Sequence, residues 1–147
     1  MTLVDTNLLV YATFADAPEH SVARTWLEQQ LEASELGVVF SWSILYAFLR
    51  LITSTRVFGP SAVSVHEGWT TVDAYLAQPA VRLVTAGAGH ASIAAELLKT
   101  PGLRSDDVPD VEIAALAIEH GLVLASHDHG FRRFSRLRMV DPLVDER

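Results

Sequence analysis

The chain has 147 residues, half of them apolar and a fifth charged, with eight glycines and six prolines. A chain of this length buries roughly 68–70% of its unfolded surface, so the composition fits a single globular domain over residues 1–147 and excludes a disordered, repetitive or fibrous one. Cysteine is absent and the net charge is −7, which excludes a disulfide framework, a thiolate metal centre and a Cys nucleophile, and argues against a broad electrostatic grip on a polyanion while leaving room for a local basic patch.

No basic stretch followed by an apolar one opens the chain, so no export is expected and the cytoplasm is the expected location. Apolar runs such as 113–118 are far shorter than the ~20 residues a bilayer span needs, so no membrane association is expected. Leu3-Val4 reads as a short buried strand ending at Asp5-Thr6-Asn7, and Leu8 to Phe14 as a helical turn or two. From Pro18 to Ala33 the residues Val22, Ala23, Trp26, Leu27 and Leu31 fall at helical spacing, opposite Glu19, Arg24, Glu28 and Glu32. After Gly37, Val38 to Phe40 is a second strand, and Ser41 or Ser43 caps an apolar helix from Ile44 to Thr53.

Gly59-Pro60 breaks the chain before a helix from Ser61 to Leu76, and Pro79 ends that unit. A third strand spans Val81 to Val84, a helix Ala88 to Lys99, and a polar loop Thr100 to Pro109 that carries Asp106 and Asp107. Asp110 is expected to cap the helix Val111 to His120, which Gly121 terminates. The unbroken apolar run Leu122 to Ala125 is typical of a parallel strand covered on both faces, and a last strand is expected within Leu137 to Val140. Strands alternating with helices define an α/β class with a three-layer α/β/α arrangement and a short-stranded, mainly parallel sheet.

In open parallel sheets ligands bind beyond the carboxyl ends of the strands. Asp5 and Asp128 each follow an apolar strand and Asp110 opens a helix, so three acids are set to converge at one rim. Clustered carboxylates repel unless a cation neutralises them, and hard oxygen donors suit Mg²⁺, with Mn²⁺ as a substitute, rather than zinc. Such an ion eases ionisation of water and stabilises charge at phosphorus, which suits phosphodiester hydrolysis. Each acid also has a plain structural role: Asp5 and Asp110 as helix caps, Asp128 in a tight turn before Gly130.

Three segments, Val4-Asp5-Thr6-Asn7-Leu8-Leu9, Asp110 to Gly121 and Leu124 to Phe131, resemble the signatures of PIN-domain ribonucleases, specifically VapC-type toxins of bacterial toxin–antitoxin pairs. Trp42 to Thr53, Phe134 to Leu137 and Asp141-Pro142-Leu143 fit the same group, so the resemblance covers nearly the whole chain. It implies a PIN-like fold and a Mg²⁺-dependent endoribonuclease, dimeric and held inactive by a cognate antitoxin. Carried over by position, Asp5, Asp110 and Asp128 are the acidic ligands, Ser126 a hydroxyl near the site and Asn7 a polar supporter. Cleavage by water is expected to leave 5′-phosphate and 3′-hydroxyl ends.

Two positions depart from that family pattern: Ala47 stands where a Glu is common, and Gly130 where a further acid is common. Glu112, Asp106 and Asp107 are candidates to supply the missing oxygen, but residues two apart on a helix point about 200° apart, so Glu112 joins Asp110 only through an irregular first turn. The departures also motivate an alternative, a degenerate PIN domain that binds RNA or a protein partner without cutting.

Arg132, Arg133 and Arg136 follow Asp128 closely and are candidates to position RNA phosphates, with Arg138 nearby and Arg50 and Arg56 flanking the helix that carries Ala47. The His127-x-His129 pair has zinc-like spacing but no Cys or third His to complete a site, so it reads as solvated loop histidine. Gly87-Ala88-Gly89 lacks the rest of a dinucleotide-binding loop. Trp26, Trp42 and Trp69 lie on apolar helical stripes and read as core or as part of a partner groove.

Overall fold

The computed structural model describes residues 1–33 and 37–144. Its sheet contains β1 (Thr2–Val4), β2 (Val38–Phe40), β3 (Val81–Leu83), β4 (Val123–Ala125) and β5 (Met139–Val140), in the order β3-β2-β1-β4-β5. Every pairing is parallel. Leu3, Val4, Val38, Phe40, Leu124 and Ala125 have no exposed surface, so side chains on both faces of the central strands are covered, as parallel strands require.

The helices are α1 (Thr6–Thr13), α2 (His20–Glu32), α3 (Trp42–Ile52), α4 (Thr55–Phe58), α5 (Val65–Leu76), α6 (His90–Leu97) and α7 (Val108–Glu119). α1 packs on α2 and α3, α3 packs on α5, and α6 packs on α7. Connections from β1 through β2 to β3 run one way across the sheet and the β3–β4 connection runs back. Right-handed crossovers then put α1–α5 on one face and α6–α7 on the other, the three-layer arrangement expected from the alternation of elements. Among the described residues no helix is long and apolar enough to cross a membrane.

The local chemistry explains most boundaries. Ser41 accepts the Ile44 N–H and starts α3 at Trp42, two residues before the first strongly apolar position. Ser64 and Glu67 form a reciprocal capping box that starts α5 at Val65, and the residues before it, Gly59–Ser61, form a separate 3-10 turn rather than the helix start expected at Ser61. α4 was not expected, because only one short turn separates α3 from Gly59.

One correction bears on the site. Asp110 is not the cap of α7: the helix begins at Val108, with Pro109 in its first turn and Asp110 as its third residue. The expected loop up to Pro109 treats proline as a breaker, but a proline in the first turn loses an N–H that has no intrahelical partner anyway. Asp110 therefore sits where an acid meets the positive end of the helix dipole.

Candidate active site

β1 lies where the strand order reverses, and its neighbour β4 pairs with it so that Val4 stands beside Ala125. The crevice beyond these two carboxyl ends is the place where doubly wound sheets bind ligands. The Asp5 N–H donates to the Ala125 carbonyl at 2.9 Å, which extends the ladder one residue and sets Asp5 beside Ser126. The fully buried Ser126 hydroxyl donates to Asp5 Oδ2 at 2.7 Å and accepts the Asp128 N–H at 2.9 Å. One hydroxyl thus fixes both strand-end acids.

The plain roles of these acids coexist with a place at the rim. Asp5 Oδ1 accepts the Thr6 N–H at 2.8 Å at the start of α1, and Asp128 Oδ1 accepts the Gly130 N–H at 2.9 Å. Each turn is closed by one carboxylate oxygen.

Asp110 comes to the same rim from α7. Arg133 Nη2 donates to Asp110 Oδ2 at 3.1 Å and lies 3.3 Å from Asp107 Oδ1. Asp107 and Asp110 are three apart at the head of the helix and so share a side, which is the pattern that would have revealed the second acid under the arginine. Burial, then repulsion from Asp128 and Asp5, pushes the Asp110 carboxyl up to about 6 from its ordinary 3.8, against the opposing pull of Arg133. Burial also pushes the Asp5 carboxyl up, and the Ser126 and Thr6 hydrogen bonds only partly offset it.

Burial leads both shifts and repulsion among the three acids adds to them, so the rim disfavours the ionised carboxylates that a bound cation would favour. Its donors are carboxylate and hydroxyl oxygens, so the residues fit a hard divalent cation. Arg133 is the cation paired with the acids among the described residues, and its Nε is buried without a hydrogen-bond partner. Among those residues, only His127, His129 and Asp141 bring three donor atoms within 4.8 Å of one another. The Asp5, Asp110 and Asp128 oxygens stand farther apart, with the Arg133 guanidinium held against the last of them to join, Asp110.

Glu112 Oε1 accepts from the Ser43 hydroxyl of α3 at 2.9 Å, and Ser43 is 2.8 Å from Ser41. Ala47, one turn beyond Ser43 and on the same side of α3, is half-buried. At Gly130 a Cβ would stand 3.0 Å from Asp128 Oδ1, so the position is shaped around the acid before it. Asn7 is exposed on α1, one residue past the rim.

The arginines do not share one surface task. Arg133 belongs to the acid cluster, Arg136 pairs with Glu96 at 2.8 Å, Arg138 donates to the Gly121 carbonyl at 2.7 Å, and Arg132 is exposed. The tryptophans also divide: Trp26 is core, Trp69 is half-buried, and Trp42 is exposed beside the exposed Tyr46.

The histidine reading needs correction. His127 Nδ1 and His129 Nε2 both donate to Asp141 Oδ2, at 2.8 and 2.7 Å, and the Asp141 side chain has no exposed surface. Burial pushes the Asp141 carboxyl up, but the His129, His127 and Leu143 hydrogen bonds outweigh it and hold the group below the ordinary carboxylate range. Asp141 follows β5 just as Asp5 follows β1, and Val140 pairs with Ala125. The rule that an acid after a strand reaches the rim, applied to the last strand, would have found it.

The PIN domain family model matches residues 2–137, and the chain belongs to the PIN-domain family. Its place within that family is the VapC branch. The chain is 38% identical over 144 residues to Ribonuclease VapC43 of Mycobacterium tuberculosis (strain ATCC 25618 / H37Rv), covering 97% of this chain and 96% of the relative. It is 35% identical to Ribonuclease VapC33 of the same strain, covering 97% and 99%. Among solved structures, VapBC2 from Rickettsia felis bound to a promoter DNA fragment superposes with a TM-score of 0.70 at 19% identity, covering 95% of this chain and 96% of that one. The Mycobacterium tuberculosis VapC20 toxin, described as cleaving the sarcin–ricin loop, superposes at 0.66 with 20% identity over 90% and 93%. These distant superpositions establish the fold.

Proposed function

We propose that this chain is a Mg²⁺-dependent endoribonuclease of the VapC kind, the toxin of a type II toxin–antitoxin pair, with Asp5, Asp110 and Asp128 as its metal-holding and catalytic acids. The observation that carries the reading is the joining of Asp5 and Asp128 by the Ser126 hydroxyl at 2.7 and 2.9 Å across the β1–β4 crevice. The chemistry that Mg²⁺ supplies when bound is charge stabilisation at phosphorus and easier ionisation of water.

The chain's own groups prepare that chemistry. Ser126 and the Thr6 N–H hold the Asp5 carboxylate in one orientation despite its burial, so no reorganisation is needed when substrate arrives. The Gly130 N–H engages Asp128 Oδ1 and leaves Oδ2 outside that bond. Arg133 screens Asp110 and Asp107 from the approaching polyanion. Arg132 and Arg136, exposed beyond the rim, give phosphate contacts that fix register rather than sequence. Water attack in line with the 3′ oxygen breaks the P–O3′ bond and leaves a 3′-hydroxyl and a 5′-phosphate.

The same reading carries a cognate antitoxin protein, a homodimer and a cytoplasmic setting. The VapBC complexes among the solved relatives support the antitoxin, and the exposed Trp42 and Tyr46, ring centroids 6.0 Å apart, offer a protein partner an aromatic surface. The test is single-turnover cleavage of a panel of end-labelled structured RNAs in Mg²⁺ by the wild type and Asp5→Asn. Discrete cuts that need Mg²⁺ and vanish in the variant support the reading. RNA bound tightly by both proteins and cut by neither contradicts it and favours the non-cleaving alternative that Ala47 and Gly130 suggest.

A further inference from the structure

Beside the acid rim lies a second cluster of metal-ligating groups with different chemistry. His127 and His129, alternate residues on the segment leaving β4, converge on one buried oxygen of Asp141 beyond β5. Their rings stand edge to face, centroids 5.5 Å apart and 76° between planes. A hydrogen-bonded staple for Asp141 needs one imidazole, and two meeting at a single oxygen place two nitrogen donors and one oxygen donor within 4.8 Å of each other.

We propose that His127 Nδ1, His129 Nε2 and Asp141 Oδ2 form a binding site for a borderline transition-metal dication of the Zn²⁺ class, distinct from the oxygen-only Mg²⁺ site. Two nitrogens and one carboxylate are a set that zinc accepts with a solvent molecule as fourth ligand. In a tetrahedral site with bonds of 2.0–2.1 Å the ligand atoms stand about 3.3 Å apart, so the present 2.7 and 2.8 Å separations need to widen by about half an ångström, within reach of small imidazole rotations. The surroundings suit it. The Leu143 N–H donates to Asp141 Oδ1 at 3.0 Å and fixes the carboxylate plane. The His127 and His129 side chains are 35% and 49% exposed, which leaves an outer side open for the ion to arrive and for a water to complete the shell.

The consequence is mechanical. Asp128 is the residue between the two histidines, so an ion joining them to Asp141 ties the Asp128 turn to the end of β5 and restricts where that acid points. This role for Asp128 rests on the ribonuclease reading, whereas metal binding at the trio does not. The ion is the reverse of a competitor for the acid rim: it holds one rim residue without using its carboxylate.

The test is Zn²⁺ titration of the metal-free full chain, followed by calorimetry and by the histidine ring ¹⁵N resonances. The inference expects one equivalent bound, with the His127 Nδ1 and His129 Nε2 signals moving to the metal-bound position, and binding retained in Asp5→Asn. It expects at least a tenfold loss of affinity in His129→Gln, a half-exposed substitution that leaves the core untouched. Ring signals that stay in place at saturation, unchanged affinity in His129→Gln, or loss of binding in Asp5→Asn alone would each overturn it. Because ring resonances are read on the wild type, a poorly folded variant leaves the answer intact, and RNA cleavage enters neither outcome.

Discussion

Replacing Asp110 by Asn separates a functional carboxylate from a structural one through the sign of its effect on the metal-free fold. The folded chain holds the Asp110 proton more tightly than the unfolded chain does, with the carboxyl pushed from 3.8 up to about 6 by burial and by Asp128 and Asp5. Its contribution to stability is therefore present below about pH 4 and is lost as pH rises through about 6. The interval corresponds to about 3 kcal/mol, and water reaching a carboxyl that is 24% exposed brings this to about 1–2 kcal/mol. The lost Arg133 bond is already counted in that balance, and Arg133 keeps Asp107 at 3.3 Å. In EDTA at pH 7.5, Asp110→Asn should thus melt about 3–6 °C above the wild type, and the two should coincide at pH 4. A variant less stable than the wild type at both pH values would show that Asp110 serves the helix, and would refute the argument from stored charge.

Ser126→Ala leaves Asp5 Oδ2 and the Asp128 N–H without their buried partner, so urea denaturation should show a loss of about 1–3 kcal/mol, with the cleavage rate falling at least tenfold. Arg132→Ala combined with Arg136→Ala should weaken RNA binding and flatten the slope of log affinity against log salt by up to about two, read by fluorescence anisotropy, while the single-turnover rate at saturating RNA stays the same. Ala47→Glu, on the side of α3 that carries Ser43 toward Glu112, should add an oxygen donor and tighten Mn²⁺ binding in calorimetry. A variant that unfolds without gaining affinity would show that residue 47 faces the core, where an unpaired carboxylate costs several kcal/mol.

The fold was legible in the sequence where one local signal decided the element. Continuous apolar runs marked β2 and β4, and a serine cap marked the start of α3 to within a few residues, whereas the Gly59-Pro60 break put the start of α5 four residues early. Reading failed where a residue has two local meanings. Pro109 can end a helix or open one, and the difference moved Asp110 from the cap of α7 into its first turn. The acid rim was readable because the strand-end rule is topological and needs no coordinates. What escaped were pairings between chain-distant residues that carry no periodic mark. Arg133 looked like surface charge until α7 brought Asp107 and Asp110 against it, and the histidines looked solvated until β5 delivered Asp141 beneath them.

The central claim is that Asp5, Asp110 and Asp128 act as one cation-holding site on which catalysis depends. The measurement is Mn²⁺ calorimetry and RNA cleavage on the same samples of wild type, Asp5→Asn, Asp110→Asn and Asp128→Asn, all carrying His129→Gln so that binding at the neighbouring histidines adds no signal. The account predicts that each acid variant loses at least tenfold in Mn²⁺ affinity and that cleavage falls in step with it. Undiminished Mn²⁺ binding in all three, or full cleavage by any variant that no longer binds the ion, would contradict it.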